Sequence, residues 1–148
     1  MRRILLVCTG NICRSPTAEG VLRARAAARG LGHLIHADSA GIQGYHAGEP
    51  PDPRTVRAAA ARGYDLSSLR ARPVTPRDFD RFDLLLGMDG GHVEALRRMA
   101  PRGLAARVEP FDAEDVEDPY YGGPDGFERV LDQIERRVDA LLDSWHPR

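Results

Sequence analysis

Apolar positions along the chain fall into two alternating rhythms. Short runs of about five residues, Arg3–Val7, Leu34–Ser39, Asp83–Met88 and Arg107–Phe111, are bounded by turn residues and read as buried strands. Between them lie segments with helical spacing. Phe127, Val130, Leu131, Ile134, Val138, Leu141, Leu142 and Trp145 form a continuous 3.6-residue stripe, which predicts a helix over 127–145. Ala18, Val21, Leu22 and Ala28 give an earlier helix its inner face. Ser15 is its expected cap, Pro16 its first position and Gly30 its end. Asp52-Pro53 opens a helix to about Arg62, closed by Gly63. Thr75-Pro76-Arg77-Asp78 opens a short helical turn with an acid at the capping-box position, and Asp89 caps a helix that reaches Met99 before Pro101. Loops are expected over 41–51 and 112–126. No repeat, low-complexity tract or linker interrupts the series.

Strand and helix in alternation imply right-handed crossovers and an α/β fold: one domain over residues 1–148, a parallel sheet with helices on both faces. In such folds ligands bind beyond the carboxyl ends of the strands. The turn after the first strand lies there.

Composition narrows the function. The formal net charge of −1 argues against a general nucleic-acid binder. No apolar run approaches the roughly 20 residues of a membrane span, and the apolar start is too short for a signal peptide. The expectation is a cytoplasmic protein with no membrane insertion, with secretion by another route left open. In that compartment the two cysteines, Cys8 and Cys13, are expected to be chemical rather than a structural staple.

Both lie in Leu5–Gly20, LLVCTGNICRSPTAEG. A turn between strand and helix directs successive backbone N–H groups inward, and the helix start adds partial positive charge. Thr9, Gly10, Asn11, Ile12 and Cys13 supply that turn. Gly10 permits close backbone approach, and Asn tolerates a left-handed conformation. Arg14 adds a planar fork suited to two oxygens of a tetrahedral oxyanion. The sequence lacks the lysine of a nucleotide-binding loop. Instead Cys8 faces the nest, beside a helix N-terminus and an arginine, where a thiol gives up its proton readily. Ser15 is placed to donate to the thiolate. These residues specify a phosphate site with a nucleophile beneath it.

The stretch VCTGNICRSPTAEG resembles the signature of the low-molecular-weight protein tyrosine phosphatases. The likeness continues through DSAG, PPDPRT, RDFDRFDLLLGMD and DPYYGG, in order along nearly the whole chain. It implies a four-stranded parallel sheet of order 2-1-3-4, a cysteinyl-phosphate intermediate and no metal or cofactor. A phosphotyrosine protein would be the substrate and inorganic phosphate a product. It further implies that Asp118, in VEDPYYGG, protonates the leaving group and later activates water. Asp112, Glu114, Asp115 and Glu117 are neighbouring carboxylates outside the motif. Tyr120 and Tyr45 would wall a slot for the substrate ring, with Tyr121 a further candidate wall or phosphorylation target. Ile12, where related protein-arginine phosphatases carry threonine, suits an aryl ester. Cys13 would form a reversible disulfide with Cys8. Ser15, Ser39 and Arg72 match supporting positions. Leu69 departs from the pattern, since the family often has Ser-Gly-His there and that histidine helps hold the loop asparagine. His36 and His46 read as surface or satisfied residues.

Two other classes share the fold or the anion site. An arsenate reductase would need a further cysteine pair around FDLLLGMDGGHVEAL, which has none. A phosphate- or phosphopeptide-binding module would not need Asp118. Protein-arginine phosphatase is the remaining alternative.

Overall fold

The structure, a computed structural model, describes residues 1–145. Four strands, β1 (Arg2–Cys8), β2 (Ile35–Gly41), β3 (Leu84–Gly87) and β4 (Val108–Pro110), form one parallel sheet of order β2-β1-β3-β4. The helices are α1 (Arg14–Ala28), α2 (Pro53–Ala60), α3 (Asp78–Arg81), α4 (Gly90–Met99) and α5 (Pro124–Ser144). The four strands and five α-helices match the expected elements, with ends shifted by a few residues, and an unexpected 3-10 turn over Ala105–Arg107 leads into β4.

β1 is central, and alternation along it divides the core. Ile4, Leu6 and Cys8 face the α1 and α5 layer, packing with Leu22, Ile134 and Val138. Leu5 and Val7 face the opposite side with Phe79, Phe82 and Leu96. Both faces are covered, which is why the strand reads as an unbroken apolar run rather than an alternating one. Truncating Leu5 or Leu6 to alanine would cost about 2–5 kcal/mol.

Two details of α1 differ from the sequence reading. Ala26, not Ala28, completes its buried face, because Ala18, Leu22 and Ala26 follow one another at four-residue steps while Ala28 turns outward. The helix also begins at Arg14 with Cys13 as its N-cap, and no side chain caps it. Ser15 lies inside the first turn, its hydroxyl drawn into the loop. Pro16 is still tolerated, since the first-turn N–H groups have no helical partner. By contrast Asp52 and Asp89 cap α2 and α4 as expected, and Gly30 closes α1 with φ 73°.

The register aligns Cys8 with Gly41, and Val7 with Gly87, which in turn aligns with Pro110. All four strand ends therefore open on one edge of the sheet. The loops that follow them converge there.

Candidate active site

Asn11 sits at φ 59°, the one non-glycine residue with positive φ among those described. Its side chain holds it there. Nδ2 donates to Ser15 Oγ at 2.8 Å and to Ser39 Oγ at 2.9 Å, while Oδ1 accepts the Arg72 backbone N–H at 3.0 Å. Ser39 Oγ passes its hydrogen to Glu19 Oε1 at 2.6 Å. Ser15 Oγ, already an acceptor, lies 2.9 Å from Cys8 Sγ, whereas the Ala40 carbonyl is 3.5 Å away. The geometry sends the Ser15 hydrogen to the sulfur, where it supports negative charge. Arg72 serves this loop through its backbone; its guanidinium reaches Asp38 and Asp78 instead. The missing histidine leaves no gap, because both amide hydrogens and the carbonyl of Asn11 are engaged. Leu69 packs against the core.

The Arg14 side chain is only 5% exposed. Nη1 donates to Asp89 Oδ2 at 2.9 Å and to the Val116 carbonyl at 3.0 Å. Nη2 donates to Thr9 Oγ1 at 3.3 Å and lies 3.7 Å from Asp118 Oδ2. One edge of the fork is thus anchored and the other faces the site. Burial pushes the Asp89 carboxyl up, but the His92 backbone N–H, the His92 ring and Arg14 outweigh it and hold the acid below its usual range. His92 is buried beside Arg14. Burial first, and the arginine charge second, lower its pKa to about 4, so the ring is neutral near pH 7. Its Nδ1 accepts the Asp89 backbone N–H at 3.2 Å, and its Nε2 lies 2.8 Å from Thr9 Oγ1.

Cys8, Thr9, Arg14 and Asp118 open into one cavity of ≈ 220 Å³. Gly10, Ile12, Cys13 and both Tyr45 and Tyr120 line it as well. Asp118 Oδ1 accepts the Tyr120 backbone N–H at 3.1 Å, which orients the carboxyl on its loop. Three of the four neighbouring carboxylates are engaged elsewhere. Asp115 accepts from the Gly90 backbone, Glu117 pairs with Arg129, and Asp112 accepts from Gln133. Arg54, paired with Asp52, donates to the Tyr120 carbonyl at 3.0 Å and packs over its ring at 5.3 Å, bracing the loop. Tyr45 stands 80% exposed at the mouth. Tyr121 meets Tyr120 edge to face at 4.9 Å between centroids and also lines the cavity.

Both thiols are free. Burial pushes the Cys13 thiol up to about 12, so it stays protonated. Gly41 brings the loops together: a Cβ there would lie 2.8 Å from the Thr9 carbonyl oxygen and 3.0 Å from the Gly10 carbonyl carbon. Among the described residues no group of three metal-ligating side chains is assembled.

Residues 3–146 match the family of low molecular weight phosphotyrosine protein phosphatases. The chain belongs to that family. It is 50% identical to a low molecular weight protein-tyrosine-phosphatase of Streptomyces coelicolor, over 95% of this chain and 91% of that protein. The crystal structure of a protein tyrosine phosphatase from Entamoeba histolytica with Hepes in its active site superposes with a TM-score of 0.93 at 34% identity, covering 98% of this chain and 97% of that one. YfkJ from Bacillus subtilis superposes at 0.90 with 39% identity, covering 97% and 94%.

This phosphatase is therefore a hydrolase in which Cys8, Arg14 and the Asp118 carboxyl fit the catalytic site. The comparisons favour this assignment over a thiol oxidoreductase. Several site residues of the phosphatase escaped the sequence reading. Asp89 was legible as a helix cap, but not as the anchor of Arg14. Glu19 is buried and accepts from Ser39 while pairing with Arg23 at 2.7 Å. His46 is bonded to Glu49 and is also a wall of the cavity, against Gly10. Arg54 lies within the PPDPRT likeness but without a role assigned to it, and His92 carried no local signal.

Proposed function

We propose that Cys8 is the nucleophile in hydrolysis of protein phosphotyrosine through a cysteinyl-phosphate intermediate. The reading rests on one observation: Cys8 Sγ, bonded to Ser15 at 2.9 Å, shares a cavity with an anchored Arg14 whose Nη2 lies 3.7 Å from Asp118. The Cys8 thiolate forms the S–P bond as the P–O bond to the tyrosine ring breaks. Arg14 and the N–H groups of residues 9–13 hold the phosphoryl oxygens. Protonated Asp118 gives its proton to the departing phenoxide. As a carboxylate it then takes a proton from water, whose oxygen attacks phosphorus. The S–P bond breaks, inorganic phosphate leaves and the thiolate returns.

Ile12, Tyr45 and Tyr120 offer apolar walls to an aryl ring, which favours phosphotyrosine over the shorter phosphoserine. The compartment is read as a reducing cytoplasm, in keeping with two free thiols.

The test is hydrolysis of aryl phosphates by wild type, Cys8→Ser and Asp118→Ala. Cys8→Ser should be inactive. Asp118→Ala should lose about 10²–10⁴ in kcat with a poor leaving group and far less with a good one. An active Cys8→Ser variant would overturn the mechanism.

A further inference from the structure

A second and wider hollow, ≈ 490 Å³, lies next to the catalytic cavity between α2 and the start of α5. Ala58, Pro124 and Phe127 give it an apolar lining, with Arg54 and Arg57 beside them. It adjoins the catalytic cavity, separated from it by the Arg54–Tyr120 contact. The Arg54 guanidinium stands 5.3 Å from the Tyr120 ring, which walls the cavity, and 4.9 Å from the Phe127 ring, which lines the hollow.

The charges around this hollow are unequal in their freedom. Arg54 is paired with Asp52 at 2.9 Å. Glu128, the acid on the rim, is held by Arg62 at 2.8 Å. Arg57 is exposed and has no ion-pair partner among the described residues. The hollow thus presents apolar surface and one uncompensated positive charge.

A phosphotyrosine in a protein does not arrive alone. The catalytic cavity, at ≈ 220 Å³, has room for the phosphoaryl group but not for the polypeptide that carries it. That polypeptide crosses the mouth of the cavity, which Tyr120 borders on the side of the hollow. Resting on the phosphotyrosine reading above, we propose that the hollow is a subsite for the segment flanking the phosphotyrosine, selecting an acidic side chain through Arg57. The stem of that side chain would rest on Phe127 and Ala58.

The test compares wild type, Arg57→Glu and Gly123→Phe on p-nitrophenyl phosphate and on paired phosphotyrosine peptides with acidic or basic flanks. Wild type should favour the acidic peptide by about two- to fivefold in kcat/KM, the scale of an exposed ion pair. Arg57→Glu should invert that order and leave p-nitrophenyl phosphate hydrolysis unchanged. A Cβ at Gly123 would meet nothing within 4 Å, so the phenylalanine can enter the hollow. It should raise KM for both peptides and not for the small substrate. An unchanged peptide ratio in Arg57→Glu, with small-substrate turnover intact, overturns the subsite alone. Failure of wild type to hydrolyse p-nitrophenyl phosphate overturns the catalytic reading instead.

Discussion

His92 Nε2 lies 2.8 Å from Thr9 Oγ1, joining the start of α4 to the phosphate loop across 83 positions of sequence. The Asp89 backbone N–H occupies Nδ1, so the proton of the neutral ring sits on Nε2 and is donated to Thr9. Arg14 Nη2 donates to the same hydroxyl. With both lone pairs of Thr9 Oγ1 taken, its own hydrogen is left for an oxyanion in the cavity.

His92→Ala should therefore lower kcat/KM by about five- to tenfold, the worth of one such hydrogen bond. His92→Gln should recover most of it, since glutamine at this helix position can accept the Asp89 N–H and still donate to Thr9. In a Thr9→Val background His92→Ala should cost much less. A double-mutant cycle measures that coupling, and strict additivity would rule the relay out.

The same histidine makes stability depend on pH. Its pKa is about 4 in the folded protein against the ordinary histidine value of 6.5, with Arg14, Asp89, Asp118 and Asp115 the charges around it. Between those values the unfolded chain binds a proton that the folded chain does not. The folded state is therefore free of this penalty above about pH 6.5 and loses stability as pH falls towards 4, by on the order of 3 kcal/mol. Urea denaturation from pH 7.5 to 4 should show the loss, and His92→Gln should have a flatter profile than wild type.

Gly41→Ala should disable the loop without unfolding the domain. The added methyl meets backbone, the Thr9 carbonyl oxygen at 2.8 Å, and backbone cannot step aside as a side-chain tip can. We expect a stability loss of about 1–3 kcal/mol. Aryl phosphate turnover should fall at least about tenfold, because misplaced phosphate donors are costly to the transition state. Thermal melts and kcat, measured together, separate the two effects.

Restoring the family's usual histidine should bring no benefit. In Leu69→His the Asn11 amide is already engaged by Ser15, Ser39 and Arg72, and core contact is lost. The expected result is a destabilisation of about 1 kcal/mol with unchanged or lower kcat/KM. A gain in activity would mean that the asparagine network is incomplete.

What the sequence determined alone was whatever depends on neighbours along the chain. Apolar period separates β1 from α5, Asp52-Pro53 and Asp89 set the starts of α2 and α4, and the ordered residues from Cys8 to Arg14 identify the phosphate loop. These are local choices of backbone and solvent. Ser15 and Ala28 were misassigned by the same local logic: helix propensity could not anticipate a hydroxyl drawn towards Cys8 and Asn11, nor fix the helix's rotation against β2 and α5.

Tertiary structure decided the partnerships. Arg14 is anchored by Asp89 and Val116, 75 and 102 positions away. Asp118 reaches the cavity while Asp112, Asp115 and Glu117 are engaged elsewhere. No spacing encodes such pairings. They arise because the parallel strands end on one edge, where loops distant in sequence must share one small volume and satisfy each other's charges and hydrogen bonds.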